Sequence, residues 1–204
     1  KKSRLYILIE KPLLKTEWYL DGKEFDFKVP YFDDYDTFRE GDIIIIGGKT
    51  GTGKGHISMN MIKQFHEQGI VPAYYSSENG ARFKQIALSL GLVEGDFVWD
   101  HFFNPESLWL NDNKVTIIDW LMPKDFANTD KLFGHFAEQM WKNKGLLIVF
   151  VQLRDNGDFF AKDLIEQFGS WNCKFFYDDD MGKTSHFNVT KIREVKPHMP
   201  RYPK

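Results

Sequence analysis

The chain has 204 residues, 42% of them apolar, 16% aromatic and 27% charged, with a formal net charge of −2. That length buries one substantial core, and that composition excludes a disordered or fibrous chain. The near-neutral charge excludes the bulk cationic field of a dedicated nucleic-acid binder and leaves room only for a local basic loop. A single cysteine, Cys173, excludes an internal disulfide framework. It reads as a buried, inert thiol in a reducing compartment, which favours the cytoplasm of a cell or of a phage's host. No apolar run approaches the roughly 20 residues needed to span a bilayer, so no membrane partner is expected. The chain opens KKSRL without a methionine, which reads as processing or as a domain cut from a longer polypeptide whose other domains are missing.

In chain order, the apolar run RLYILIE comes first, and TEWYL and KEFDFKV then flank Asp21-Gly22. That dipeptide supplies the positive φ angles of a two-residue hairpin turn, so residues 1 to 30 read as a small β-hairpin appendage. A turn-rich acidic stretch leads into Ile43 to Ile46, a short apolar run of the kind found in buried parallel strands. After a glycine-rich loop, Ile57, Met61 and Phe65 recur every four residues and predict a helix ending at Gly69. VPAYYS at 71 to 76 predicts the second strand and ARFKQIALSLG the next helix. VTIID at 115 to 119 predicts a third strand; Leu132, Phe136 and Met140 mark a helix; LLIVFVQ at 146 to 152 predicts a fourth strand. AKDLIEQFG reads as helical, and CKFFYD and SHFNVTKIREV as two strands joined by the turn DDDMGK. Strand-helix alternation predicts an α/β domain over residues 31 to 196, its mainly parallel sheet flanked by helices and extended by a C-terminal β-hairpin. Residues 197 to 204 read as an exposed tail.

Gly48-Lys49-Thr50-Gly51-Thr52-Gly53-Lys54 satisfies G-x-x-x-x-G-K between a predicted strand and a predicted helix. Glycines let backbone amides turn inward around phosphate oxygens, the helix N-terminus adds its positive end, and Lys54 can reach the β and γ phosphates. Gly55 and His56 follow within the same candidate nucleotide-binding segment. Asp119 closes the strand VTIID, where parallel sheets bind ligands and where an acid holds Mg²⁺ or its water. A helix-capping or solvated acid is the plainer alternative. Trp120 follows Asp119, so no second acid is adjacent. Glu78, directly after AYYSS, is therefore the candidate general base, a solvated loop acid being its alternative. Gln152 ends the fourth strand and can sense the γ phosphate from the same edge. Lys191 and Arg193, two apart in FNVTKIREV, place two cations on one face of a strand, suited either to phosphate recognition or simply to solvent.

Taken together, GDIIIIGGKTGTGKG, YYSSENGARF, VTIIDWL, VFVQLRDNGDFFAKDLIEQFG and VTKIREV resemble the motor domain of RecA-like P-loop ATPases, most closely replicative hexameric helicases of the DnaB type. The resemblance implies ATP and Mg²⁺ as cofactors, a γ-phosphate lysine at Lys54, a water-polarising acid at Glu78 and a metal-linked acid at Asp119. It also implies a switch glutamine at Gln152, with Lys191 and Arg193 reaching a neighbour's nucleotide in a hexameric ring or filament. The partner it implies is single-stranded DNA, met by loops carrying Lys124, Arg154 and Lys162.

Gly55 departs from that pattern, because the residue after the lysine ordinarily supplies a hydroxyl to Mg²⁺. A glycine there is reminiscent of nucleoside monophosphate kinases, whose loop reads Gly-Lys-Gly-Thr, yet His56 stands where their threonine would. Three readings stay open: an ATP-hydrolysing motor acting on DNA, a nucleotide-binding assembly or loader module with weak or no hydrolysis, and a nucleoside monophosphate kinase.

Overall fold

The computed structural model describes residues 22–34, 36–78, 80–121, 129–159, 168–178 and 184–192. The elements are β1 (Ile43–Gly48), α1 (Lys54–His66), β2 (Ala73–Ser76), α2 (Gly80–Ser89), β3 (Val98–His101), β4 (Val115–Leu121), α3 (Thr129–Asn143), β5 (Leu146–Gln152), β6 (Trp171–Asp178) and β7 (Thr184–Ile192). They form one seven-stranded sheet in the order β3-β2-β4-β5-β1-β6-β7. Every pairing is parallel except β6 with β7, the predicted closing hairpin.

Both faces of this sheet are covered, which is why its central strands are apolar throughout rather than alternating. Ile44 and Ile46 face a cluster that includes Met59 and Phe65 of α1, Phe83 of α2 and Trp171. Ile43 and Ile45 face the other way, toward Phe133, Phe136 and Met140 of α3. Consecutive isoleucines thus serve opposite layers, and all four are buried. Each buried side chain of this size contributes about 1.5–3 kcal/mol of burial. Cys173 lies wholly inside the first cluster, and burial raises its thiol pKa, as expected of an inert structural cysteine.

Sequence reading missed β3. Its four residues, VWDH, are mostly exposed, so the strand lies at the sheet edge with neither the apolar run of a buried strand nor a clean alternation. Residues 22–30 carry no named strand; Glu24 and Arg39 form an isolated antiparallel bridge, Val29 is buried, and Phe25 and Phe27 pack on the main core. Farther along, Trp171 donates its indole N–H to the buried Asp36 carboxylate and packs against Phe32 and Phe38. The predicted TEWYL strand, Asp21, most of AKDLIEQFG, the DDDMGK turn beyond Asp178, and the tail lie outside the described residues.

After β5 the chain turns back, with Leu153 bridging Phe159. This turn sits against Gly47: a β-carbon there would lie 2.5 Å from Leu153 Cδ2 and 2.5 Å from Phe159 Cε1. Gly47→Ala is expected to destabilise the protein by about 1–3 kcal/mol through overpacking. Urea unfolding measures this as a lower midpoint with an unchanged slope.

Candidate functional site

Strand β1 ends at Gly48, and α1 begins at Lys54, so the intervening loop lies at the carboxyl edge of the sheet, where such folds bind ligands. Gly51 and Gly53 have φ of 79° and 95°, left-handed values that favour glycine. Gly53 caps α1 without a side-chain bond, and the first turn contains no acid. The positive end of the helix is therefore directed at the loop with no protein anion to neutralise it.

Lys54 folds back into this loop. Its Nζ donates to the carbonyls of Gly48 at 2.8 Å and Lys49 at 2.9 Å, and to Gln152 Oε1 at 3.3 Å. Two residues separated by 98 positions, both expected to read phosphate, thus meet. Burial lowers the Lys54 pKa, opposed by the nearby charges of Asp119 and then Glu78. All three ammonium protons have acceptors that a phosphate oxygen can replace at the same length.

Asp119, near the end of β4, is 3% exposed. Its Oδ2 accepts from Ser58 Oγ of α1 and from Tyr74 OH of β2, each at 2.9 Å. Burial raises the carboxyl to about 6; the bonds from Ser58 and Tyr74 pull it down, Glu78 pushes it up, and Lys54 pulls it down. Glu78 lies just past β2, its backbone N–H donating to Ser76 Oγ at 3.1 Å. The electrostatic influence of Glu78 on both Lys54 and Asp119 puts it in the same cluster.

Four sequence candidates, Lys54, Glu78, Asp119 and Gln152, thus converge. Ser58 and Tyr74 were missed. Ser58 carried a signal, because it follows Lys54 by four residues and so shares its helix face; Tyr74 was indistinguishable from a core aromatic.

Other candidates fall elsewhere. Thr50 is exposed, while Thr52 closes the loop by donating to the Lys49 carbonyl at 2.8 Å. Lys49 reaches the Asp155 carbonyl at 2.7 Å. His56 is exposed beside the loop. Lys191 pairs with Asn172, which lies beside Ile45, whereas Gly48 is level with Phe175 and Phe187. Lys191 is therefore well down the sheet from its own chain's loop, and the structure does not bring it to this cluster. Arg154 is exposed on the turn after β5. Arg193, Lys124 and Lys162 lie outside the described residues.

A cavity of about 500 Å³ adjoins the loop, lined by Tyr31, Gly51, Gly53, His56, Phe175, His186 and Phe187 among others. Tyr31 has φ of 70°, unusual for a bulky residue and a mark of a position imposed by its surroundings. Its ring lies 5.8 Å from that of Phe187. A larger groove of about 740 Å³ lies between α2 and residues 92–99, lined chiefly by apolar side chains and by no phosphate-loop residue. The loop's chemistry favours the smaller cavity as the ligand compartment.

Carboxylate and hydroxyl oxygens beside a phosphate-type loop suit Mg²⁺, which takes one or two carboxylates and completes its shell with phosphates and water. Asp119, oriented and buried at the loop, fits that role. Among the described residues no group of three or more His, Cys, Asp or Glu could hold a metal without such help.

Strand order, the strand-loop-helix after β1 and this polar edge together define a RecA-like P-loop fold, resembling helicase motor domains. No family model matches the chain, and no curated protein sequence matches it. Solved structures do. A KaiC-like protein from the hyperthermophilic archaeon Pyrococcus horikoshii OT3 superposes with a TM-score of 0.65 at 16% identity, over 86% of this chain and 91% of that one. The ATPase domain of a DnaB-type helicase superposes with a TM-score of 0.64 at 11% identity, over 78% of this chain and 80% of that one.

The raised Asp119 pKa has a definite sign. The folded protein holds a proton that the unfolded chain has released, so stability falls as pH rises from the ordinary carboxyl value of 3.8 to about 6. Asp119→Asn removes that loss. Thermal unfolding of the nucleotide-free protein is expected to show the variant more stable at pH 8, by up to about 3 kcal/mol, with the difference vanishing below pH ~4.

Proposed function

We propose that this chain is an ATP-binding, ATP-hydrolysing motor domain that works with Mg²⁺ as a homo-oligomer in the cytoplasm and acts on single-stranded DNA. The observation that carries nucleotide binding and turnover is the convergence of Lys54, Gln152, Asp119 and Glu78 at the open end of α1. In this reading the loop amides and Lys54 hold the β and γ phosphates, and Gln152 releases Lys54 and senses the γ phosphate. Glu78 accepts the proton of the attacking water as general base. Asp119 holds Mg²⁺, which when bound neutralises charge on the phosphate oxygens.

The cavity beside Tyr31 and Phe187 takes the nucleoside, since aromatic faces stack on a base irrespective of its identity. Lys191, remote from its own loop, serves a neighbouring subunit's nucleotide together with Arg193, which favours a ring or filament. DNA would be met by Arg154 with Lys124 and Lys162.

A second reading, an assembly or loader module with weak or no hydrolysis, is favoured by Gly55, which leaves the loop without its usual metal-binding hydroxyl. Steady-state turnover with and without single-stranded DNA separates the two. The motor reading expects DNA-stimulated hydrolysis that Lys54→Ala and Glu78→Gln each lower by about 10²-fold or more. Slow turnover indifferent to DNA and to Glu78→Gln establishes the module instead. Phosphoryl transfer to a nucleoside monophosphate in the same assay would revive the kinase. Only monomer in light scattering with a non-hydrolysable ATP analogue removes the role in trans of Lys191 and Arg193.

The nucleoside placement has its own check. Tyr31→Ala is expected to weaken ATP binding about tenfold while leaving tripolyphosphate binding unchanged, as measured by competition. Equal losses for both ligands would place the base elsewhere.

A further inference from the structure

Gly55 leaves the loop without a hydroxyl, and the fold shows what occupies that region. A β-carbon on Gly55 would lie 3.1 Å from Phe83 Cε1 and 3.7 Å from Asp119 Oδ2. Position 55 therefore looks onto the acid but is overlain by the Phe83 ring of α2. One helical turn onward, Ser58 is fully buried, and its hydroxyl lies 2.9 Å from that same Asp119 oxygen.

Helix geometry alone does not produce this contact. A buried helical serine ordinarily bonds back to a carbonyl three or four residues earlier, and Ser58 Oγ does lie 3.0 Å from the Gly55 carbonyl. That bond would satisfy its single proton. The carboxylate of another element, 61 residues away in sequence, is a second acceptor competing for the same proton. Tyr74, also fully buried, donates to the same oxygen from β2. Two donors on two elements converge on one carboxylate oxygen and fix the rotation of the Asp119 carboxyl about its Cβ–Cγ bond.

We infer that Ser58 is a positioning residue for the divalent cation: the hydroxyl missing at position 55 has moved one turn along α1, where, with Tyr74, it holds Asp119 in its cation-binding orientation. This rests on the reading of Asp119 as the cation-binding acid. Hydrogen-bonding partners that orient a metal-binding carboxylate are typically worth 10–100-fold in metal affinity.

The test uses the full chain, a non-hydrolysable ATP analogue and Mn²⁺, whose free concentration is read by electron paramagnetic resonance. Ser58→Ala is expected to weaken Mn²⁺ binding to the nucleotide-loaded protein about tenfold, while affinity for the analogue without metal stays within about twofold. Tyr74→Phe, which keeps the ring packing, shifts Mn²⁺ affinity in the same direction and provides the measurement if Ser58→Ala fails to fold. Gly55→Ser in the Ser58→Ala background restores the affinity by returning a hydroxyl to the acid.

Unchanged Mn²⁺ affinity in both Ser58→Ala and Tyr74→Phe overturns the inference, as does a loss in Ser58→Ala that appears equally in metal-free analogue binding. If Asp119→Asn also leaves Mn²⁺ binding unchanged, it is the underlying reading of Asp119 that fails.

Discussion

The candidate site depends on one buried carboxylate. Asp119 Oδ2 receives hydrogen bonds from Ser58 on α1 and Tyr74 on β2, so a single oxygen ties together the helix after the phosphate loop and two adjacent strands. Hydrogen bonds to a charged acceptor contribute about 1.5–3 kcal/mol each, yet the carboxyl remains raised to about 6. The bonds therefore offset only part of the cost of burial. A charge kept where it reduces stability is characteristic of functional sites, because the same low-dielectric surroundings strengthen its interaction with a cation.

This carboxylate also relates the loop to the rest of the fold. Phe83 closes over Gly55 on one side and belongs to the main core on the other, so the absent hydroxyl is matched by packing rather than by an empty position. Lys54 is held by the loop's own carbonyls and by Gln152 at the end of β5. The loop thus has contacts with α1, β4 and β5 in addition to β1, from which it emerges. Gly47, pressed by Leu153 and Phe159, brings the turn after β5 against the base of the loop.

Much of this was legible in the chain. The four-isoleucine run, the G-x-x-x-x-G-K spacing, the helix periodicity at Ile57, Met61 and Phe65, and polar residues closing apolar strands are all local patterns, and each led to an element or a side chain that the structure places where the pattern implied. What escaped was non-local. β3 is short, exposed and held by pairing with β2, so its residues needed no distinctive pattern. Tyr74 looked like any buried aromatic, because its hydroxyl acquires a partner only when β4 lies beside β2.

The sequence by itself determined the sheet architecture and the phosphate loop, because both follow from spacing along the chain: apolar runs of strand length, helical periodicity, and glycines at left-handed positions. Tertiary structure alone decided which polar groups meet. It brought Ser58 and Tyr74 to one oxygen of Asp119, placed Gln152 on Lys54, and set Lys191 far down the sheet from its own loop. Those outcomes depend on strand order and register, through which residues tens of positions apart come within hydrogen-bonding distance, and no spacing along a single chain encodes that separation directly.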